Sequence, residues 1–128
     1  MRLLLDTHVL IWWFAGDASL SADAQAAIGH ADAEVLVSAA SAWEIATKFR
    51  IGRLHNATIL ATDVPAAIAS QGFVELPITL RDGQTAGNLP GPHRDPFDRM
   101  LIAQALLADL VLVSNEAVFD RYGIRRLW

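Results

Sequence analysis

The sequence predicts an α/β fold: a central parallel sheet of four to five strands flanked by helices on both faces. Short apolar runs recur along the whole chain, at Leu3–Leu5, Glu34–Val37, Phe73–Leu76, Leu110–Val113 and Ile124–Leu127. Longer stretches of helical character separate them, and such alternation reads as strand–helix–strand units. No internal repeat, low-complexity tract or interdomain linker breaks the pattern, so 1–128 is read as a single domain.

The elements follow in order. Leu3–Leu5 is a buried strand, and a helix runs from about His8 to Phe14. Ser19–Ser21 caps a second helix ending near Gly29 and His30. After the strand Glu34–Val37, a helix from about Ala42 to Ile51 stops at Gly52. Thr62, Asp63 and Pro65 open a helix that runs to Gly72. The strand Phe73–Leu76 closes at Pro77, and Thr79–Gly87 is a short helix. The loop 88–94 is the richest in Pro and Gly; Asp95-Pro96 then starts an apolar helix to about Ala108, followed by the last two strands.

Composition sets the chemistry that is available. The chain has 128 residues, 53% hydrophobic and 19% charged, enough for one sizeable core. It has no cysteine, which excludes disulfides, thiolate metal sites and a cysteine nucleophile. Only a run of three apolar residues, Leu3–Leu5, leads into Asp6, too short for a signal peptide, and no apolar run is of membrane-spanning length, so a cytoplasmic location is expected. The net charge of −4 is unusual for a nucleic-acid-binding protein. It is compatible with one if the acids gather in a metal site and arginines flank it.

Four carboxylates carry the functional reading. Asp6 follows the first strand, Glu44 lies in the first turn of the helix after the second, and Glu116 follows the fourth. Asp98 lies in the first turn of the helix preceding that fourth strand. Ligands bind at the carboxyl edge of an open parallel sheet. Three of the acids belong on that edge, and Asp98 joins them if the loop before its helix ends there. Two unit charges about 4 Å apart repel by roughly 4 kcal/mol at an effective dielectric of 20, so crowded carboxylates take up protons or a cation. All the donors are oxygens, which favours Mg²⁺, with Mn²⁺ able to substitute, over Zn²⁺. Such an ion is completed by a substrate phosphate, and water it activates can attack phosphorus.

Each acid also has a structural reading that is commoner for a residue taken singly. Asp6 can cap the helix after it. Ser41 and Glu44 form a capping-box pattern, and Glu44 and Lys48 an i, i+4 surface pair. Asp95 suits an N-cap, Pro96 the first helical position and Asp98 the helix dipole. Ser114 can be a cap with Glu116 in the turn after it. The shared sheet edge tips the balance toward a site. Thr7, Ser114 and Asn115 are candidates for holding water or substrate, with turn capping the commoner role. Lys48, Arg94 and Arg99, with Arg50, Arg53 and His93, are candidate phosphate contacts against the alternative of a solvated surface. His8 has no partner histidine at ligand spacing and is read as structural. Trp12, Trp13 and Trp43 are read as core or subunit-interface residues rather than base-stacking ones.

Four strings, LLLDTHVLIWW, VSAASAWEIATK, HRDPFDRMLIAQA and LVLVSNEAVFDRYG, span nearly the whole chain. In this order and spacing they resemble the PIN-domain nucleases, and within them the VapC toxins. The resemblance implies a PIN fold and a Mg²⁺-dependent endoribonuclease toxin of a type II toxin–antitoxin module. It places the first three acids at Asp6, Glu44 and Asp98, with Asp95 as an additional aspartate. Asp6 and Asp98 would bind the principal ion, and Glu44 would ligate it or orient the attacking water. The fourth family position is usually Asp in a T-x-D pattern; here Ser114, Asn115 and Glu116 share it, and the carboxylate is one methylene longer. The resemblance also implies a homodimer and a VapB-type antitoxin whose tail offers an Arg to the acids.

Other classes fit less well. A haloacid-dehalogenase-type phosphatase needs a second aspartate where His8 stands. A receiver-like signalling module needs a lysine after a late strand, and Lys48 is the only lysine in the chain. A degenerate PIN scaffold that binds partners without cleaving stays open, because of Glu116.

Overall fold

The computed structural model describes every residue except 56. Five parallel strands form one sheet in the order β3-β2-β1-β4-β5. They are β1 (Arg2–Leu5), β2 (Glu34–Ser38), β3 (Val74–Leu76), β4 (Val111–Val113) and β5 (Arg125–Leu127). The central strand shows why the sheet is covered on both faces. Leu3 and Leu5 point into one apolar layer with Val9, Leu10, Ile45 and Ile68. Leu4 points into the other with Leu101, Ile102, Leu112 and Phe119. Alternate residues of a strand face opposite ways, so a run of three leucines serves both layers.

The chain leaves β1 toward β2 and β3, then returns to lay β4 and β5 on the other side. The carboxyl ends of β1 and β4 therefore flank the switch point of the sheet, where open α/β folds form their binding crevice. The residue after each of these strands stands at that edge: Asp6 after β1 and Ser114 after β4.

The helices are α1 (Thr7–Ala15), α2 (Ala22–Gly29), α3 (Ala39–Arg50), α4 (Thr58–Thr62), α5 (Val64–Ser70), α6 (Leu80–Asn88) and α7 (Pro96–Ala108). Most starts are set by side-chain caps. Ser21 accepts from the Ala24 amide and Asp63 from the Ala66 amide. Thr79 and Asp82 form a reciprocal capping box.

Three expectations need correction. The helix carrying Glu44 begins at Ala39 rather than Ala42, because the Ser38 hydroxyl accepts from the Ala40 amide at 3.0 Å as the strand ends. Ser41 is therefore not a cap, and Glu44 lies in the second turn. The segment before Asp63 holds its own short helix, α4, and Asp63 starts a separate one. A 3₁₀ helix, Ala117–Tyr122, lies between β4 and β5 and drives Phe119 into the second layer with no exposure.

Candidate active site

Asp6 is only 2% exposed, and neighbouring strand ends hold its backbone and side chain. Its amide donates to the Val113 carbonyl at 3.1 Å, carrying the β1–β4 ladder one residue past the strands. The Ser114 hydroxyl donates to Asp6 Oδ2 at 2.8 Å and accepts from the Glu116 amide at 3.1 Å. One buried hydroxyl thus ties the first acid to the backbone of the last. Burial is the main reason the Asp6 carboxyl is held above the usual carboxylate range; the Ser114 bond works against that, and the charges of Glu116 and Glu44 add to it. Asp6 makes no side-chain cap of α1, so that structural role is not the one its side chain performs.

Ser114→Ala is expected to lower the stability of the metal-free protein by about 1–2 kcal/mol, because it strands a buried carboxylate oxygen and the Glu116 amide. Chemical denaturation would measure it.

Glu44 is 3% exposed on α3, and Lys48 one turn on pairs with its Oε2. The i, i+4 pair expected on the surface is therefore a mostly buried one that neutralises an acid at the site, and it engages a lysine considered for phosphate contact. Thr7 is also buried; its hydroxyl donates to Ser41 Oγ at 2.9 Å and joins the first turn of α1 to α3.

The third acid is set by the start of α7. Asp95 caps the helix, accepting from the Phe97 and Asp98 amides at 2.9 and 3.1 Å. Asp98 Oδ2 lies 2.8 Å from His93 Nε2, and an ionised carboxylate requires that nitrogen to donate. Burial, followed by the charges of Asp95, Asp6 and Glu116, pushes the Asp98 carboxyl up to about 7 against the pull of the His93 bond. The charges of Asp6 and Glu116, on the sheet edge, thus bear on Asp98.

Arg99 departs from expectation. Its guanidinium donates to the carbonyls of Ala86, Gly87, Leu89 and His93, and so binds the end of α6 and the following loop to α7. A guanidinium with this much backbone to satisfy is a structural clamp rather than a phosphate contact. Arg94 and Asn115 are exposed and make no side-chain hydrogen bond among the described residues. Trp43 is 63% exposed and meets Phe97 edge-on at 4.9 Å, so it is not a core residue.

The donor set fits a divalent cation. Among the described residues, ligand atoms of Asp6, His8 and Glu116 all lie within 4.8 Å of one another. Asp98 and Glu44 lie outside that group, although their charges reach Asp6 or are reached by it. His8 is the residue the sequence reading missed. Histidine spacing gives no sign of it, because its neighbours are carboxylates: one two residues earlier, the other brought in by β4.

Known proteins similar to this chain give its family and its fold. The family model described as PIN domain matches residues 3–125. Ribonuclease VapC22 of Mycobacterium tuberculosis is 36% identical over 119 residues, covering 89% of this chain and 86% of its own. VapBC2 from Rickettsia felis, solved with a DNA fragment from its promoter, superposes with a TM-score of 0.73 at 11% identity, over 99% of this chain and 98% of that one. Mycobacterium tuberculosis VapC20, a toxin that cleaves the sarcin–ricin loop, gives 0.70 at 16% identity and covers 95% of both chains. FitAcB from Neisseria gonorrhoeae gives 0.65 at 16% identity, over 98% of this chain and 96% of that one. At such identities the structural likeness speaks for the fold.

Proposed function

The chain belongs to the PIN-domain family, and from that premise we propose that it is a metal-dependent endoribonuclease, the toxin of a VapBC-type toxin–antitoxin module. One observation carries the reading: the switch point of the sheet holds a buried aspartate, Asp6, with ligand atoms of Glu116 and His8 within 4.8 Å of its carboxylate. A core would not gather such charges for stability, since uncompensated buried carboxylates are costly.

Asp6, Glu116 and Asp98 would hold a divalent cation, Mg²⁺ or Mn²⁺, and Glu44 would ligate it or orient the attacking water. When bound, such an ion offsets charge on the phosphate and the leaving oxygen and makes water more acidic. Residues of the chain fix the geometry. Ser114 holds Asp6 at one oxygen, His93 holds Asp98 at one oxygen, and Lys48 holds Glu44. Asp95 sets the angle at which α7 presents Asp98. Arg94, exposed in the loop before α7, and the exposed Asn115 would meet the flanking strand of RNA. Water attacks phosphorus, the ribose 3′-oxygen leaves and takes a proton, and the new ends are 5′-phosphate and 3′-hydroxyl.

The VapB-type antitoxin and the homodimer are part of the same proposal. The antitoxin is supported by a likeness to a toxin–antitoxin complex from Klebsiella pneumoniae, with a TM-score of 0.60 at 18% identity over 89% of this chain and 86% of that one. Residues 1–128 would form one PIN domain. No helix among the described residues is long and apolar enough to cross a membrane.

The test is cleavage of total cellular RNA with Mg²⁺, with Mn²⁺ and with EDTA, followed by sequencing of the new 5′ ends. Cleavage that needs metal and leaves 5′-phosphates is expected. Cyclic 2′,3′-phosphates that persist in EDTA would sink the mechanism.

A further inference from the structure

We infer that His8 adds a nitrogen ligand to the ion beside Asp6 and Glu116, which raises the affinity of the site for Mn²⁺-like transition metals relative to Mg²⁺. This rests on the metal-dependent reading above.

The partners of each acid point to it. Lys48 occupies Glu44, and His93 occupies one oxygen of Asp98. Asp6 is bound only by a neutral hydroxyl, and Glu116 has no cationic partner among the described residues. The two carboxylates with neither a lysine nor a histidine in contact are the two that group with His8.

Separation supports ligation over direct pairing. The three ligand atoms lie within 4.8 Å of one another, yet His8 forms no ion pair at 4.0 Å or less with either carboxylate among the described residues. Ligands of a single ion about 2.1 Å from it lie roughly 3–4 Å apart. A small closure brings this group into that range, whereas a histidine–carboxylate pair would already be in contact.

The ring is also steadied. His8 packs on Trp12 with centroids 6.0 Å apart, and Trp12 packs on Trp128 at 5.9 Å. The imidazole is exposed on the first turn of α1, two residues from Asp6, so an ion can reach it from solvent. Imidazole suits borderline transition metals, while Mg²⁺ is reluctant to leave an all-oxygen shell. A neutral ligand also adds no charge to an already anionic group.

The experiment is electron spin-echo spectroscopy of the protein loaded with Mn²⁺, with calorimetry of Mn²⁺ and Mg²⁺ binding to wild type, His8→Ala and His93→Ala. Expected are nitrogen modulation in wild type and in His93→Ala, its loss in His8→Ala, and a fall in Mn²⁺ affinity of at least roughly tenfold in His8→Ala. Mg²⁺ affinity should change little. Bound Mn²⁺ without nitrogen modulation in wild type, or with modulation kept in His8→Ala, overturns the ligand assignment and leaves the nuclease reading standing. A wild type that binds no Mn²⁺ overturns both. Because the wild-type spectrum alone can refute the assignment, a variant that folds poorly does not rescue it.

Discussion

Replacing Asp98 with Asn is expected to abolish metal-dependent RNA cleavage and to raise the stability of the metal-free protein. The loss follows from removing a charged donor at the site, and by the scale of single catalytic groups it should be on the order of 10³-fold or more. The gain follows from linkage. The folded protein holds the Asp98 carboxyl up to about 7, against an ordinary value of 3.8. Between those values the folded state binds a proton that the unfolded state has released. That contribution is full below about pH 4, shrinks as pH rises toward 7, and is gone above it. At neutral pH, ionised Asp98 therefore weighs on the metal-free fold. Asn keeps a carbonyl oxygen for the His93 donor and removes the charge. A gain of about 1–2 kcal/mol is expected near pH 7.5, less than the whole shift implies because solvent screens part of the repulsion. The gain should vanish near pH 4. Thermal melts of both proteins across that range, each with EDTA, would measure it. An apo protein that loses stability on this substitution would mark Asp98 as a structural group and weaken the site reading.

The same aspartate shows how much was legible in the sequence. Its place on the helix after Asp95-Pro96 was readable, because a cap followed by proline marks a helix start without reference to the rest of the fold. The sheet was readable too, since runs such as Leu3–Leu5 are apolar at every position and alternate with helices. What escaped depends on choices among equivalent local signals. Ser38 and Ser41 each offer a cap for the helix carrying Glu44, and the strand ending at Ser38 decides between them. The role of Arg99 is set by carbonyls that face it across a turn of chain, so an arginine beside two aspartates gave no sign of it. His8 was passed over for a similar reason: Glu116 lies more than a hundred residues away in sequence and comes within 4.8 Å of it only through the β1–β4 pairing. Ser114 is a further case. As one residue of a turn it reads as a cap, and only the β1–β4 pairing reveals its bond to Asp6.

Arg99→Ala is expected to be among the most damaging single changes outside the apolar core. The guanidinium donates to four carbonyls in the segment from Ala86 to His93, with Nε on Ala86 at 3.1 Å and Nη1 on His93 at 3.0 Å. Alanine leaves these carbonyls to compete for water at the edge of a packed helix pair, α6 against α7. Charged hydrogen bonds contribute about 1.5–3 kcal/mol each in favourable settings, but the contributions are not additive and the segment can relax. A loss of about 2–4 kcal/mol is therefore expected, measurable by urea unfolding at fixed pH. Lysine should rescue little, since an ammonium cannot span the same carbonyls with a planar fork. The change should also reach the acids. His93 is held by Arg99 through its carbonyl and by Asp98 through its ring, so loosening that backbone frees the His93 ring from Oδ2. Histidine resonances in an NMR spectrum of a folded Arg99→Lys protein should then lose the signature of the His93–Asp98 bond. A variant with wild-type stability and an intact His93 signal would show that the clamp is redundant, and Arg99 would return to the residues available for RNA.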